Sequence, residues 1–171
     1  FTLPQFPFVQ TAGQQSQAYS AFQSAGVNMS HVVFFNASTD SYWTRDYGPW
    51  FIYENDHDCS IIDTIYNRPR PNDDAIPTIF ANFLGIAAFG PNLITAGGNY
   101  MTDGQGIAAS TTLIWEENPT QTPAQIDQSV ADYLGIHTYH VVPDPNGTYI
   151  DHIDCWGKFL AVDKILIRSV P

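Results

Sequence analysis

Basic side chains are scarce in this chain: Lys and Arg together number 6 of 171 residues, against 17 Asp and Glu. The net charge of −11 at pH 7 argues against a nucleic-acid partner, because such a partner requires a basic face. An excess of carboxylates instead suits a cationic substrate or an extracellular surface, although many acidic proteins owe only their solubility to such a charge.

Cysteine is scarce as well, and long apolar runs are missing. The two cysteines, Cys59 and Cys155, are too few for a disulfide framework, and the sequence leaves open whether they pair or stay separate thiols. No apolar run approaches the length of a membrane-spanning helix, so we expect no membrane span. Neither a zinc motif nor a calcium motif is complete, so we expect neither a metal nor a cofactor.

The residues that are present are those of a folded domain. Hydrophobic residues make up 44% of the chain and charged residues 13%, which favours a packed core over disorder. A length of 171 residues suits one domain. Because the chain begins at Phe1 rather than Met and ends on an apolar, strand-like segment, we interpret it as a fragment or a processed chain.

A unit of helix, strand, polar loop and hairpin recurs three times. Each predicted helix ends at a glycine, a common helix terminator, and these are Gly26, Gly85 and Gly135, at intervals of 59 and 50 residues. Short apolar strands follow ("HVVFFN", "LITA" and "HTYHVV"), and the predicted hairpins are "WFIYENDHDCSIIDTIY", "GIAASTTLIWEE" and "WGKFLAVDKILIRSV". This period predicts a propeller or another radial array. The alternative is an ordinary α/β domain with coincidental spacing.

The three polar loops occupy the same place in each unit, so in a radial array they would converge on one pocket. They contain "WTRDYGP", "GGNYMTDGQG" and "TYIDHIDCWG". His152 and Asp154 are two residues apart and would share a face if they lie on a strand. With Asp46 from the first loop they would offer two carboxylates and an imidazole, a set that suits a guanidinium group.

Two neighbours of Asp46 complete the first loop. Trp43 could pack on the flat face of a guanidinium or on the aliphatic stem that carries it. Arg45 would point away from Asp46 on a strand, so we interpret Arg45 as a structural residue paired beneath the site.

The motifs "YWTRDYGPWFI", "GGNYMTDGQG" and "HIDCWGKF", in this order, resemble the bacterial (Porphyromonas-type) peptidylarginine deiminases and agmatine deiminases of the guanidine-modifying superfamily. The resemblance implies an α/β fold, the five-bladed pentein-type propeller, of which this chain would cover roughly three blades. Residues 1–171 would then be part of a catalytic deiminase domain whose N-terminal and C-terminal parts are missing. The resemblance also implies a secreted or cell-surface bacterial protein.

The resemblance further implies a covalent hydrolysis of a guanidinium to a ureido group and ammonia. Asp46 and Asp154 would hold the substrate guanidinium, and His152 would act as general acid and base. The nucleophilic cysteine would lie beyond Pro171, in the remainder of the catalytic domain or on a second chain, so this chain alone should be inactive. Neither of its own cysteines is a convincing substitute, because a free thiol needs activation. We interpret both as buried small residues, with Cys155 facing away from Asp154 on a strand.

The segment "IYNRPRPNDD" bears on substrate choice. In the similar agmatine deiminases, a Trp-Gly pair is typical of this segment. This chain has Arg68 and Arg70 instead, and the two arginines could bind the carboxylate of a C-terminal arginine. The resemblance adds Tyr149 and Ile150 to the same pocket, and Gly98 of "GGN" would let the backbone approach the substrate. We therefore expect peptides or proteins with C-terminal arginine as partners. The alternatives are an agmatine deiminase, a non-catalytic arginine-binding module, and a purely solvated "RPRP" loop.

Overall fold

The computed structural model describes residues 5–55, 57–147 and 149–169. Its α-helices in these ranges are α1 (Ala12–Ser24), α2 (Thr44–Tyr47), α3 (Pro71–Asp74), α4 (Ile76–Leu84), α5 (Leu113–Glu117) and α6 (Pro123–Leu134). Single-turn 3₁₀ helices lie at Met29–His31, Gly97–Asn99 and Ile153–Cys155. None of the described helices is long and apolar enough to cross a membrane.

The strands are short and pair into small sheets. They are β1 (Phe8–Val9), β2 (Phe35–Asn36), β3 (Trp50–Glu54), β4 (Asp58–Ile62), β5 (Ile65–Tyr66), β6 (Ala88–Phe89), β7 (Ile94–Thr95), β8 (Met101–Thr102), β9 (Ile107–Thr111), β10 (Thr138–Val142), β11 (Gly157–Ala161) and β12 (Lys164–Ile167). The sheets have the orders β1-β2, β3-β4-β6, β5-β7, β8-β9-β10 and β11-β12. Helices alternate with these strands along the chain, so the predicted α/β class is confirmed.

The chain divides into two compact units, Phe1–Tyr42 and Trp43–Pro171. In the first unit, β1 and β2 pair in parallel across α1. The Thr11 side chain caps the start of α1 by accepting a hydrogen bond from the Gln14 backbone N–H, and Gly26 follows the helix with a φ of 77°. This left-handed conformation is the one that glycine adopts without strain.

The second unit repeats one topology. The hairpin β3–β4 is followed by α4, by Gly85 in the left-handed conformation, and by β6, which pairs in parallel with β4. The hairpin β8–β9 is followed by α6, by Gly135 in the same conformation, and by β10, which pairs in parallel with β9. A capping box of Thr122 and Gln125 begins α6, as those residue types predict. The predicted sequence of glycine-ended helix, strand and hairpin is therefore confirmed.

One predicted hairpin is wrong. Of "GIAASTTLIWEE", only Ile107–Thr111 is a strand; Leu113–Glu117 forms α5, and β9 takes β8 as its antiparallel partner. The reason is long-range: the Asn118 side chain bonds both the N–H and the C=O of Ile94 on β7 and the carbonyl of Ile114, and Ile114 is buried. These contacts stabilise a helical turn where apolar periodicity alone predicts a strand.

The hydrophobic core of the second repeat joins β9, α5 and α6. Its buried members are Leu93, Ala108, Ile114, Ile126, Val130 and Ile136. Because these side chains come from both sides of the second polar loop, their burial fixes where that loop begins and ends.

The three polar loops each form a single helical turn. The first turn is α2, and it packs against the turn Gly97–Asn99, which in turn packs against the turn Ile153–Cys155. The predicted convergence of the loops is thus confirmed. The strands assumed at Asp46 and at His152–Asp154 are wrong, because backbone hydrogen bonds such as that from the Asp46 N–H to the Trp43 carbonyl close a turn there. The number of propeller blades stays a prediction.

Truncating Ile126 to alanine should test the core. Ile126 is fully buried on α6, whereas Ile79 on α4 is 43% exposed. We expect Ile126→Ala to lower the free energy of unfolding by about 2–5 kcal/mol, because it removes buried methyl groups and leaves a cavity. The same change at Ile79 should cost less than about 1 kcal/mol. Urea unfolding of both variants measures the difference, and equal losses would contradict the assigned core.

Candidate active site

Asp46 and His152 form a pair where the three turns meet. Oδ1 of Asp46 lies 3.6 Å from Nδ1 of His152 and accepts a hydrogen bond from the Gly98 N–H at 3.2 Å. The His152 side chain is 4% exposed and that of Asp46 is 13% exposed. Asp46 lies on the first turn, Gly98 lies on the second, and His152 directly precedes the third. The arrangement therefore exists only when all three loops are in place.

The two glycines of "GGN" allow this approach. A Cβ atom on Gly98 would overlap Nδ1 of His152 and lie 2.6 Å from Oδ1 of Asp46, and one on Gly97 would overlap the backbone oxygen of Arg45. We expected Gly98 to let the backbone approach a substrate. The structure shows that it lets the carboxylate and the imidazole approach each other, while its contact with a substrate stays a prediction.

The surroundings of His152 set its protonation. Burial lowers the pKa of His152 below its usual value, and the charges of Asp46 and Asp154 oppose this, while Arg68 adds to the lowering. Nε2 of the ring is buried and has no hydrogen-bond partner within the described residues. A ring with one nitrogen facing a carboxylate and the other available for a ligand is suited to accept and return a proton.

Asp154 has a different environment. Its Oδ2 atom lies 3.6 Å from Nε of Arg45, and Nη2 of Arg45 donates to the Tyr100 carbonyl at 3.0 Å. Arg45 is therefore paired, as the sequence predicts. The expectation that Arg45 lies on a strand is wrong, because it lies on α2. Successive side chains on a 3₁₀ turn are rotated by about 120°, so His152, which directly precedes the turn, is buried while Asp154, two residues later, is exposed. The prediction that the two share a strand face is also wrong.

Arg68 and Arg70 lie beside the pair, in the segment between β5 and α3. Nη1 of Arg70 donates to the Tyr66 hydroxyl at 3.1 Å, and Nη1 of Arg68 donates to the Asn67 carbonyl at 3.2 Å. Burial and the charge of Asp46 raise the pKa of Tyr66, and both arginines lower it. The two arginines and Asp46 therefore act electrostatically on the same phenol, and Arg70 bonds it directly.

The remaining predicted binding residues flank the turns. Trp43 directly precedes α2 and is 46% exposed; Tyr149 is 98% exposed, and Ile150 beside it is partly buried, two residues before His152. These residues lie two or three positions before Asp46 or His152 in the sequence. Their contact with a substrate stays a prediction.

The sequence of residues 6–170 matches the family of Porphyromonas-type peptidyl-arginine deiminases. The chain belongs to this family. The match covers both compact units and every candidate site residue named above.

Proteins similar to this family member include agmatine deiminases. A protein of Shewanella sp. (strain W3-18-1) named "putative agmatine deiminase" is 26% identical over 163 residues, which cover 85% of this chain and 44% of that protein. A homologue from Shewanella baltica (strain OS155) with the same name is 27% identical over 81% of this chain and 42% of its own length. The chain thus spans less than half the length of the curated relatives it matches.

Solved structures show the same fold. The agmatine deiminase of Enterococcus faecalis aligns with a TM-score of 0.77 at 22% identity, over 95% of this chain and 47% of that one. A structure from Porphyromonas gingivalis named "putative arginine deiminase" aligns with a TM-score of 0.75 at 16% identity. The alignment covers 95% of this chain and 51% of that one. These structures have the α/β pentein fold, which this family member shares.

The two cysteines of this deiminase-family chain differ in exposure, and their role in catalysis stays a prediction. Both are free, so the alternative of a disulfide between them is wrong. Cys155 is exposed, which corrects its interpretation as a buried residue, and Cys59 is partly buried. Burial and Asp154, which accepts a hydrogen bond from the thiol, raise the pKa of Cys155, so the unreactive thiol form is favoured. Its predicted orientation away from Asp154 is wrong for the same reason.

A cleft of about 860 Å³ lies in the second unit, but not over the pair. Its lining includes Arg45, Trp50, Gly97 and Tyr100 and does not include Asp46 or His152. The Trp50 and Tyr100 rings stack in its wall with centroids 4.9 Å apart. The expected common pocket of the three loops is therefore not this cleft.

The sequence did not reveal the support behind His152. Oδ1 of Asn99 accepts hydrogen bonds from the backbone N–H of Thr111 at 2.9 Å and from its hydroxyl at 2.8 Å. The same hydroxyl reaches the carbonyl of Asp151, which has a φ of 51° and directly precedes His152. Only the spacing of "GGN" pointed to Asn99; no local signal pointed to Thr111, because its partners are distant in sequence.

Replacing Gly98 with alanine should separate the pair. The added methyl group would overlap the imidazole and the carboxylate, so we expect lower stability and a changed His152 titration, measured by NMR of the imidazole protons. Gly13→Ala on α1 is the control, since a Cβ there meets only the Thr11 hydroxyl at 3.8 Å. An unchanged His152 titration in Gly98→Ala would contradict the close approach described here.

Proposed function

We propose that this chain carries the guanidinium-binding and acid–base residues of a deiminase that converts peptidyl arginine to citrulline and ammonia. The observation that carries the proposal is the Asp46–His152 pair, held by the Gly98 N–H at the meeting point of three loops. Family membership supports the same chemistry. A hydrolase acting on the C–N bonds of guanidinium groups is the reaction class that these residues suit.

The proposed reaction has two halves. Asp46 and Asp154 bind the planar guanidinium and compensate its charge. A cysteine thiolate attacks the guanidinium carbon, His152 donates a proton to the departing nitrogen, and ammonia leaves a covalent thiouronium. His152 then accepts a proton from water, whose oxygen adds to the same carbon. The C–S bond breaks to release the thiolate, the added hydroxyl group loses its proton to solvent, and the ureido product leaves.

In this proposal Asp154 exchanges one guanidinium for another. It lies 3.6 Å from Nε of Arg45, and its other carboxylate oxygen takes no part in that contact. Because the Arg45 side chain is 52% exposed, Arg45 can move aside or share the carboxylate at little cost. Asp46, which is nearly buried beside the imidazole, is the stronger of the two anchors.

We propose that the nucleophilic cysteine comes from a further part of the catalytic domain, on the same polypeptide or a second chain. The hairpin β11–β12 supports this. In the earlier repeats a helix and a parallel strand cover the second hairpin strand, and β4 and β9 are largely buried. On β12, by contrast, Ile165, Leu166 and Ile167 are exposed. This surface is suited to pair with another helix–strand unit.

The proposed substrate is a peptide or protein that ends in arginine. Arg68 and Arg70 supply two guanidinium groups near the pair, and a terminal carboxylate is the group they recognise best. Agmatine, which has no carboxylate, is the second candidate, and the names of the Shewanella relatives favour it. A secreted or cell-surface location, proposed from the resemblance, suits the net charge of −11.

Removing either carboxylate should nearly abolish turnover. Asp46→Asn and Asp154→Asn each leave the guanidinium misheld and its charge uncompensated. Citrulline and ammonia release should be measured in a preparation that contains this chain and the nucleophilic cysteine, with Asp163→Asn, in an exposed turn, as control. Near-normal activity in either variant would show that the assigned role is wrong. Arginine-peptide binding without turnover by the wild type would favour the binding module.

Substrate choice can be tested with a double-mutant cycle on Arg70. Arg70→Ala should weaken transition-state binding of a free-acid peptide ending in arginine by about 1.5–3 kcal/mol, because a charge-assisted hydrogen bond is lost. Amidating the peptide should cause a similar loss in the wild type, and the two losses should not add. Arg168→Ala, on an exposed residue, is the matched control. Additive losses, or faster turnover of agmatine than of the peptide, would favour agmatine as the substrate.

A further inference from the structure

A partly buried carboxyl group is hydrogen-bonded to the residue that precedes Arg68. Glu117 is the last residue of α5, and its Oε1 atom accepts a hydrogen bond from Nδ2 of Asn67 at 2.5 Å. Its Oε2 atom is buried and has no hydrogen-bond partner in the described ranges of the chain. A carboxyl group placed in this way is costly to ionise, because one of its oxygens is shielded from water and has no hydrogen-bond donor in its place.

Asn67 connects this carboxyl group to Arg68. Its side chain bonds Glu117, and its carbonyl accepts from Nη1 of Arg68 at 3.2 Å. Arg68 in turn acts electrostatically on both Glu117 and His152. Arg68 is therefore linked to the Glu117 carboxyl group through Asn67 and acts electrostatically on both that group and the imidazole of the candidate site.

The charge on Glu117 changes near neutral pH. Burial raises the pKa of Glu117 to about 7, with the Asn67 hydrogen bond and the charge of Arg68 acting to lower it and Glu116 acting to raise it. The strands β7 and β9, which pack against α5, carry no titratable side chain. Arg68 is thus the cation, and Glu116 the anion, that face this group.

We propose that Glu117 is a positioning residue that controls how strongly Arg68 attracts the carboxylate of the substrate. This inference rests on the proposed function, in which Arg68 binds that carboxylate. When Glu117 is protonated, the guanidinium of Arg68 is uncompensated and available to the substrate. When Glu117 is ionised, its carboxylate competes for the same cation.

Ionisation of Glu117 should weaken the binding of a substrate carboxylate. Free-acid peptides should bind best below about pH 7, where Glu117 is neutral, and more weakly above it. Amidated peptides, which lack the carboxylate, should show no such change in KM. Because the pKa of Glu117 is higher in the folded chain than in the unfolded chain, its neutral form stabilises the fold at low pH. This stability is lost as the pH rises from the pKa of the unfolded chain towards about 7.

Glu117→Gln tests the proposal, with Glu116→Gln as the matched control on the adjacent residue. In the wild type, the KM for the free-acid peptide should rise by about fivefold between about pH 6 and pH 8, the size expected for a charge interaction of about 1 kcal/mol. In Glu116→Gln the rise should persist with its midpoint at a lower pH, because Glu116 raises the pKa of Glu117. In Glu117→Gln the rise should disappear, because glutamine stays neutral and keeps the Asn67 hydrogen bond. The variant should also be more stable than the wild type at pH 8 and closer to it at pH 6.

A second variant, Arg68→Gln, should remove the same pH dependence from the other side of the interaction, even if Glu117→Gln folds poorly. The KM ratio between the free-acid and the amidated peptide could instead vary with pH equally in the wild type and in Glu117→Gln. That result would overturn the role of Glu117 and leave the proposed function intact. Failure of the wild type to turn over either peptide would instead defeat the proposed function, and this inference with it.

Discussion

The close approach of Asp46 and His152 at Gly98 is the constraint on which the candidate site depends. Three single-turn helices meet there, and the absence of side chains on Gly97 and Gly98 is what allows them to meet. The imidazole is buried by this arrangement, which lowers its pKa, and the carboxylate beside it opposes that shift. Acid–base properties and backbone packing therefore have one common origin.

The helical form of the loops gives the two carboxylates different properties. Asp46 lies almost buried against the imidazole, whereas Asp154 is more exposed and faces Arg45. On strands the two would have been equivalent partners of a cation. As the structure stands, Asp46 acts within a low-dielectric environment, where a charge interaction is strong, and Asp154 acts where solvent screens it.

Much of the fold could be predicted from local signals. The glycines after α4 and α6 adopt left-handed conformations that few other residues adopt, and the capping box at Thr122 satisfies backbone donors with nearby side chains. The site loops could be identified because polar residues interrupt the repeat at equivalent places. These signals depend only on neighbouring residues, which is why the sequence contains them.

Features set by distant contacts could not be predicted. The helix α5 depends on Asn118 bonding Ile94, and apolar periodicity over five residues does not separate helix from strand. The link between Asn67 and Glu117 joins residues 50 apart, and nothing in either local segment indicates it. The resemblance identified the residues of the site, whereas their different burial followed only from the structure.

The exposed hairpin β11–β12 has a consequence for the behaviour of the chain in solution. Within the described residues β12 pairs only with β11, so its outer edge presents backbone donors and acceptors next to Ile165, Leu166 and Ile167. Such an edge is a template for edge-to-edge aggregation. At neutral pH the net charge of −11 keeps copies of the chain apart, and acidification would remove that repulsion while leaving the edge unchanged.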